Sequence, residues 1–134
     1  MTKYLADSWY FIALLDRFDN HRRSAMRLAE RVRPPMIVTH YGVIHEVLAF
    51  FSAQGAFARA KAVEWARRTM RDASPVPIDD RLMRSALDLY AARPDKEYSL
   101  VDCISMVLMK SLGVEHVVTN DHHFAQEGFV VISE

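Results

Sequence analysis

Apolar residues in this chain follow two alternating rhythms. Short unbroken apolar runs are separated by longer stretches in which apolar positions recur every three or four residues. Lys3–Ala6 is the first short run and reads as a strand, with Asp7 directly after it. Ser8–Phe18 and His21–Val32 read as helices, and Arg33-Pro34-Pro35 ends the second because proline cannot continue a helix. Met36–Val38 is another strand. Thr39 or His40 then opens a helix running to about Ala53, closed by Gly55. Phe57–Arg71 reads as an amphipathic helix with Ala60, Val63 and Ala66 inward and its arginines outward. Pro75–Ile78 is a short extended piece between prolines. Asp79-Asp80 caps a helix to Ala92, with Leu82, Ala86, Leu89 and Tyr90 at helical spacing, and Pro94 breaks it. Ser99–Leu112 is a strongly apolar helix ending at Gly113. His116–Val118 is a strand, Asp121–Glu127 a short helix and Phe129–Ile132 a last strand. Short apolar strands alternating with helices predict an α/β fold with a parallel sheet covered on both faces.

Composition narrows this further. At 134 residues the chain is expected to form a single domain over 1–134. A hydrophobic fraction of 51% and a charged fraction of 25% argue against disorder and fibrous classes. Cys103 is the single cysteine, which excludes an internal disulfide framework and makes a reducing, cytoplasmic compartment the default. The apolar run Trp9–Leu15 lies between Asp7 and Asp16, is far short of the roughly 20 residues of a membrane span, and has no cleavage signal after it. No membrane association is expected.

The net charge is zero, but it is unevenly distributed. Residues 1–94 carry 15 basic and 10 acidic side chains, and residues 95–134 carry 2 basic and 7 acidic. Arginines cluster in Arg17–Arg33 and Arg59–Arg71. Their planar forks suit phosphate oxygens, although solvated helix faces have the same composition. Familiar cofactor and nucleophile signatures are missing. None of the glycines forms a dinucleotide or P-loop fingerprint, and His45-Glu46 lacks a second zincin histidine because position 49 is Ala49. Cys103 sits in an apolar helix, as an inert core thiol does. His116, His122 and His123 have no cysteine near them to complete a structural zinc site.

Four acids stand where acid is costly. Asp7 follows Tyr4-Leu5-Ala6, and Asp121 follows Val117-Val118-Thr119-Asn120, each at the carboxyl end of a predicted strand. Glu46 has Gly42, Ala49 and Ala53 as its helical neighbours, a small-residue stripe that leaves space beside it. Asp102 lies in the first turn of the most apolar helix. Ligands of open parallel sheets bind outside the carboxyl ends of strands, where the strand order reverses. If Lys3–Ala6 and His116–Val118 are neighbours, Asp7 and Asp121 share one crevice, and the helices of Glu46 and Asp102 start at the same edge. Each acid also has a plain structural explanation: Asp7 and Asp121 as helix caps, Asp102 in a capping box with Ser99, Glu46 as a solvent-facing residue. Gathered together they would repel, by about 4 kcal/mol for two unit charges ~4 Å apart at an effective dielectric of 20. Protons or a hard cation must offset that repulsion, and carboxylate oxygens select Mg²⁺ or Mn²⁺.

These residues carry a family likeness. Leu5–Asp16, Thr39–Leu48, Tyr98–Ser105 and Val118–Phe129 resemble, in order, the four motifs of the PIN-domain nucleases, and specifically the VapC-type toxins of toxin–antitoxin pairs. The resemblance implies a three-layer α/β fold with a central parallel sheet of about five short strands flanked by helices. It implies Mg²⁺- or Mn²⁺-dependent endoribonuclease activity on an RNA substrate. Asp7 and Asp102 would be the core metal ligands, and Asp121 and Glu46 would complete the catalytic site. Ser8, Thr119 and Asn120 would orient the carboxylates. A small antitoxin inserting a segment near the acidic groove and a homodimer are also implied. RNA contact would fall to Arg22, Arg23, Arg27, Arg67, Arg68 and Arg71. Trp9-Tyr10 follows the first acid where smaller residues are common, which is expected to narrow access. Two other readings share this fold: a housekeeping nuclease in RNA processing or on DNA, and a catalytically silent metal- or partner-binding module. The presence of all four acids argues against silence.

Overall fold

A computed structural model describes residues 1–133. Four short strands, β1 (Tyr4–Ala6), β2 (Ile37–Val38), β3 (His116–Val118) and β4 (Val130–Ile132), form one parallel sheet in the order β2-β1-β3-β4. Among the described residues, seven α-helices connect and cover them: α1 (Ser8–Leu15), α2 (Arg22–Arg31), α3 (Tyr41–Phe51), α4 (Ala56–Asp72), α5 (Asp80–Ala92), α6 (Leu100–Leu112) and α7 (His123–Gln126). Among the described residues, no helix is long and apolar enough to cross a membrane.

Strand pleating explains the three layers. Successive side chains leave a strand on opposite faces. Ala6 and Val118 therefore join the core formed with α1 to α4, whereas Leu5 and Val117 join the core formed with α5, α6 and Phe124 of α7. These residues are completely buried, and β1 and β3 sit at the centre of the sheet. Buried strands in a parallel sheet need apolar residues at every position, which is why the runs read as continuous rather than alternating.

The sheet has four strands rather than about five. Pro75–Ile78 contributes only an isolated bridge, His40↔Val76, made by Val76 N–H to Thr39 O (3.0 Å) and Tyr41 N–H to Val76 O (3.0 Å). Pro75 and Pro77 have no N–H to extend that ladder. Two helices stop short of their expected ends. Beyond Leu15, the Asp16 carboxylate accepts from Phe18 N–H (3.0 Å) and the Asp19 carboxylate from His21 N–H (2.7 Å), so side-chain turns replace helical bonds. Beyond Phe51, the Ser52 hydroxyl donates back to Ala49 O (2.7 Å). Gly113 closes α6 as expected, at φ 69°, a left-handed cap that costs glycine little.

The phase of α4 differs from the expected one. Ala60 and Val63 are exposed; Ala66 is half-buried against the core, as expected, and the buried positions are Ala62 and Trp65. Both phases keep the arginines outside, so the arginine pattern alone does not choose between them. The Trp65 ring does, because its large apolar area gains most from burial. It packs against Phe11 with ring centroids 4.8 Å apart.

Candidate active site

Because β2 lies on one side of β1 and β3 on the other, the connections diverge at β1, and the crevice opens at the carboxyl ends of β1 and β3. The register Ala6↔Val118 places Asp7 directly beside Thr119. Asp7 N–H donates to Val118 O (3.2 Å), and the Thr119 hydroxyl donates to Asp7 Oδ2 (2.9 Å). Thr119 also accepts from Asp121 N–H (3.1 Å), so one buried threonine orders both acids. Asp7 occupies the N-cap position of α1 without a side-chain cap bond, and it is only 6% exposed.

Asp102 stands in the first turn of α6 and is 9% exposed. It does form the capping box: Ser99 N–H donates to Asp102 Oδ2 (3.0 Å), and Asp102 N–H donates to Ser99 Oγ (3.0 Å). Capping fixes the carboxylate rather than occupying it fully, since each carboxylate can accept several bonds. Asp121 likewise accepts from His123 N–H (2.9 Å) at the start of α7. Glu46 is half-buried on α3 and accepts from the Ser8 hydroxyl (2.8 Å). It is not a free solvent-facing residue.

The acids act on one another. Burial pushes Asp7 up to about 7, partly opposed by its bonds from Thr119 and the Ser8 backbone, and repulsion from Asp102 and Glu46 adds to the rise. Burial also raises Glu46, with Asp102 reinforcing it, and raises Asp102, with Asp121 reinforcing it. Positions 7, 46, 102 and 121 are therefore one electrostatic system built from four separate segments. The donor set suits a hard divalent cation: three of the carboxylates are held above their usual range by burial and by one another, and a bound cation would offset both.

A buried histidine ties two of these segments together. His40, 0% exposed, is the N-cap of α3: its Nδ1 accepts from Gly42 N–H (3.0 Å). The neutral ring then carries its proton on Nε2, which donates to Ser105 Oγ of α6 (2.8 Å). Burial pushes His40 down to about 4, so it stays neutral. Gly42 is small for the same reason, because a Cβ there would stand 2.9 Å from His40 Cε1. His40→Leu is expected to cost about 2–3 kcal/mol, since it removes the cap and leaves the Ser105 hydroxyl unpaired. Chemical denaturation monitored by circular dichroism measures it; an unchanged midpoint would contradict the role.

A PIN domain family model matches residues 4–129, nearly the whole chain and all four acids. The chain belongs to the PIN domain family. Similar solved structures agree on the fold of this PIN domain. VapC20 from Mycobacterium tuberculosis, a sarcin–ricin loop cleaving toxin, is 24% identical, with 96% of this chain and 97% of that one covered and a TM-score of 0.84. FitAcB from Neisseria gonorrhoeae is 14% identical over 97% and 96%, with a TM-score of 0.69. DNA-bound VapBC from Salmonella typhimurium is 16% identical over 98% of each chain, with a TM-score of 0.66. At these identities the likeness is one of fold. Among curated proteins, none matches the sequence.

Not every predicted site residue joins the PIN-domain crevice. Ser8 and Thr119 each bond an acid, whereas Asn120 is exposed and, among the described residues, makes no hydrogen bond to one. The Trp9 ring packs edge-on against His21 at 5.7 Å, so the start of α2, with Arg22 and Arg23, lies next to the Trp9 side of α1. Arg27 lies one turn further along α2. The α4 arginines lie elsewhere. Arg68 pairs with Glu64 (3.5 Å) and borders a hollow with Pro34 and Ile37, at the amino end of the sheet, while Arg71 pairs with Asp72 (3.1 Å). Arg67 is exposed on the same helix.

One residue enters the site that the sequence reading did not place there. His123 Nδ1 is 3.1 Å from Asp121 Oδ1 and 3.8 Å from Asp102 Oδ2. Its spacing two residues after Asp121 was the available signal, but proximity to Asp102 depends on how α6 packs against α7.

Proposed function

We propose that this chain is a single-domain, metal-dependent endoribonuclease and acts as the toxin of a toxin–antitoxin pair. The observation that carries the reading is the mutual repulsion of Asp7, Glu46, Asp102 and Asp121 within one crevice, at the strand ends where α/β folds bind ligands. PIN-family membership and the VapC20 likeness support the RNA substrate and the toxin role.

Asp7, Asp102, Asp121 and Glu46 would hold Mg²⁺ or Mn²⁺. When bound, such an ion lowers the pKa of a water and neutralises charge on a phosphodiester. Thr119 and Ser8 hold the Asp7 and Glu46 carboxylates in fixed rotamers, so little reorganisation is needed on binding. Asp7, pushed up to about 7, is able to take up a proton near neutral pH, and burial raises Glu46 and Asp102 in the same direction. Arg22, Arg23 and Arg27 on α2 supply positive charge for RNA phosphates on the Trp9 side, and Arg67, Arg68 and Arg71 supply a second, more distant patch. Asn120 is exposed enough to meet the substrate rather than brace an acid. A cognate antitoxin would place a segment near the same acidic groove, and the active species would be a cytoplasmic homodimer.

The test is cleavage of defined RNAs by the wild type and by Asp102→Asn, first with Mg²⁺ or Mn²⁺ and then with EDTA. Cleavage by the wild type alone, abolished by EDTA, is the expected result. Equal cleavage by both proteins, or none by either under any ion, would overturn the reading.

A further inference from the structure

Among the described residues, His123 is the one nitrogen donor grouped with the site's acids. One carboxylate oxygen each from Asp102 and Asp121 and one ring nitrogen of His123 all lie within 4.8 Å of one another. The 3.1 Å separation from Nδ1 to Asp121 is that of neighbouring ligands, since adjacent positions around an octahedral ion with bonds of ~2.1 Å are about 3.0 Å apart, and the 3.8 Å to Asp102 falls between that and the roughly 4.2 Å of opposite positions. Nδ1 is buried and has no hydrogen-bond partner, although a carboxylate oxygen is close enough to serve. A buried polar nitrogen left without a hydrogen bond has a cost, and a cation between it and the carboxylates would remove it.

The ring is held from behind. Tyr98 packs against it with centroids 5.3 Å apart. The Tyr98 hydroxyl donates to Glu127 Oε2 (3.0 Å), and Arg93 forks onto both Glu127 oxygens (3.0 and 3.1 Å). His123 N–H, bonded to Asp121 Oδ1, sets the backbone. A surface histidine that served only solubility would need none of this bracing.

We propose that His123 Nδ1 is a direct ligand of the site cation, and that this nitrogen makes the site favour Mn²⁺ over Mg²⁺. The inference rests on the cation-dependent reading above. Mg²⁺ is hard and holds oxygen ligands and water, whereas imidazole suits first-row transition ions, whose affinities exceed those of Mg²⁺ at mixed N/O sites. His123 is thus a specificity-determining residue: the carboxylates attract any divalent ion, and the ring sorts among them.

Mn²⁺ alone, added to the full chain, is the probe. Pulsed electron paramagnetic resonance of the wild type is expected to show nitrogen hyperfine coupling to bound Mn²⁺, and His123→Asn is expected to lose it. By calorimetry, His123→Asn is expected to weaken Mn²⁺ binding roughly 10–100-fold and to change Mg²⁺ binding much less, judged against the usual effect of altering a metal site's supporting residues. The wild-type spectrum needs no variant, so a folding failure of His123→Asn leaves it decisive. Bound Mn²⁺ without nitrogen coupling overturns the role of His123 and leaves the nuclease reading standing. Absence of binding by either ion overturns both.

Discussion

Asp7→Asn is expected to lower metal-dependent RNA cleavage by roughly a thousandfold or more, while the apo protein keeps its fold. The size follows from position. Asp7 is nearly buried between β1 and β3, and it is the acid that repels both Asp102 and Glu46. Asn fills the same volume, and its carbonyl still accepts from the Thr119 hydroxyl, so the packing survives. What disappears is a negative charge at the centre of the cation site. Single-turnover cleavage with saturating Mn²⁺ measures the loss, and circular dichroism checks the fold. Retention of even a tenth of the wild-type rate would remove Asp7 from the metal-holding set.

The same substitution is expected to stabilise the apo protein in a pH-dependent way. Asp7 rises from 3.8 to about 7 in the folded state, so between those values the native protein binds a proton that the unfolded chain has released. Stability therefore falls as pH increases across that window, by up to about 4 kcal/mol for this group alone. His40 works in the opposite sense. Its folded value, about 4, lies below its ordinary 6.5, so its contribution is lost on acidification and regained as pH rises. The wild type shows the sum of these opposed slopes, with Glu46 and Asp102 adding to that of Asp7. Near pH 4, Asp7 is protonated and resembles Asn, so the two proteins should unfold alike. By pH 8 the variant should be more stable by about 1–4 kcal/mol, its own slope being the sum of His40 and the opposed contributions of Glu46 and Asp102. Urea titrations without metal at pH 4, 6 and 8 measure the gap. A constant difference across pH would mean that Asp7 carries no buried charge.

Much of this protein can be read from one dimension. The strands β1 and β3 are short apolar runs because both faces of a parallel sheet are covered, and each is followed directly by an acid. Ser99 and Asp102 carry their own capping box, and Gly113 its own helix stop, since those interactions span only a few residues. The order of motifs around Asp7, Glu46, Asp102 and Asp121 likewise survives in the linear chain.

Other features depend on how distant elements meet. Val76 could not extend a fifth strand, because Pro75 and Pro77 leave no N–H groups to pair. The inward face of α4 depended on where Trp65 found Phe11, a choice between two phases that arginine spacing left equal. Asn120 beside Asp121 turned outward, whereas His123 came against Asp102, more than twenty positions earlier. His40 bonded Ser105 across 65 residues. Local propensity acts over a turn or a strand, whereas these contacts depend on long-range packing that chain order does not encode position by position.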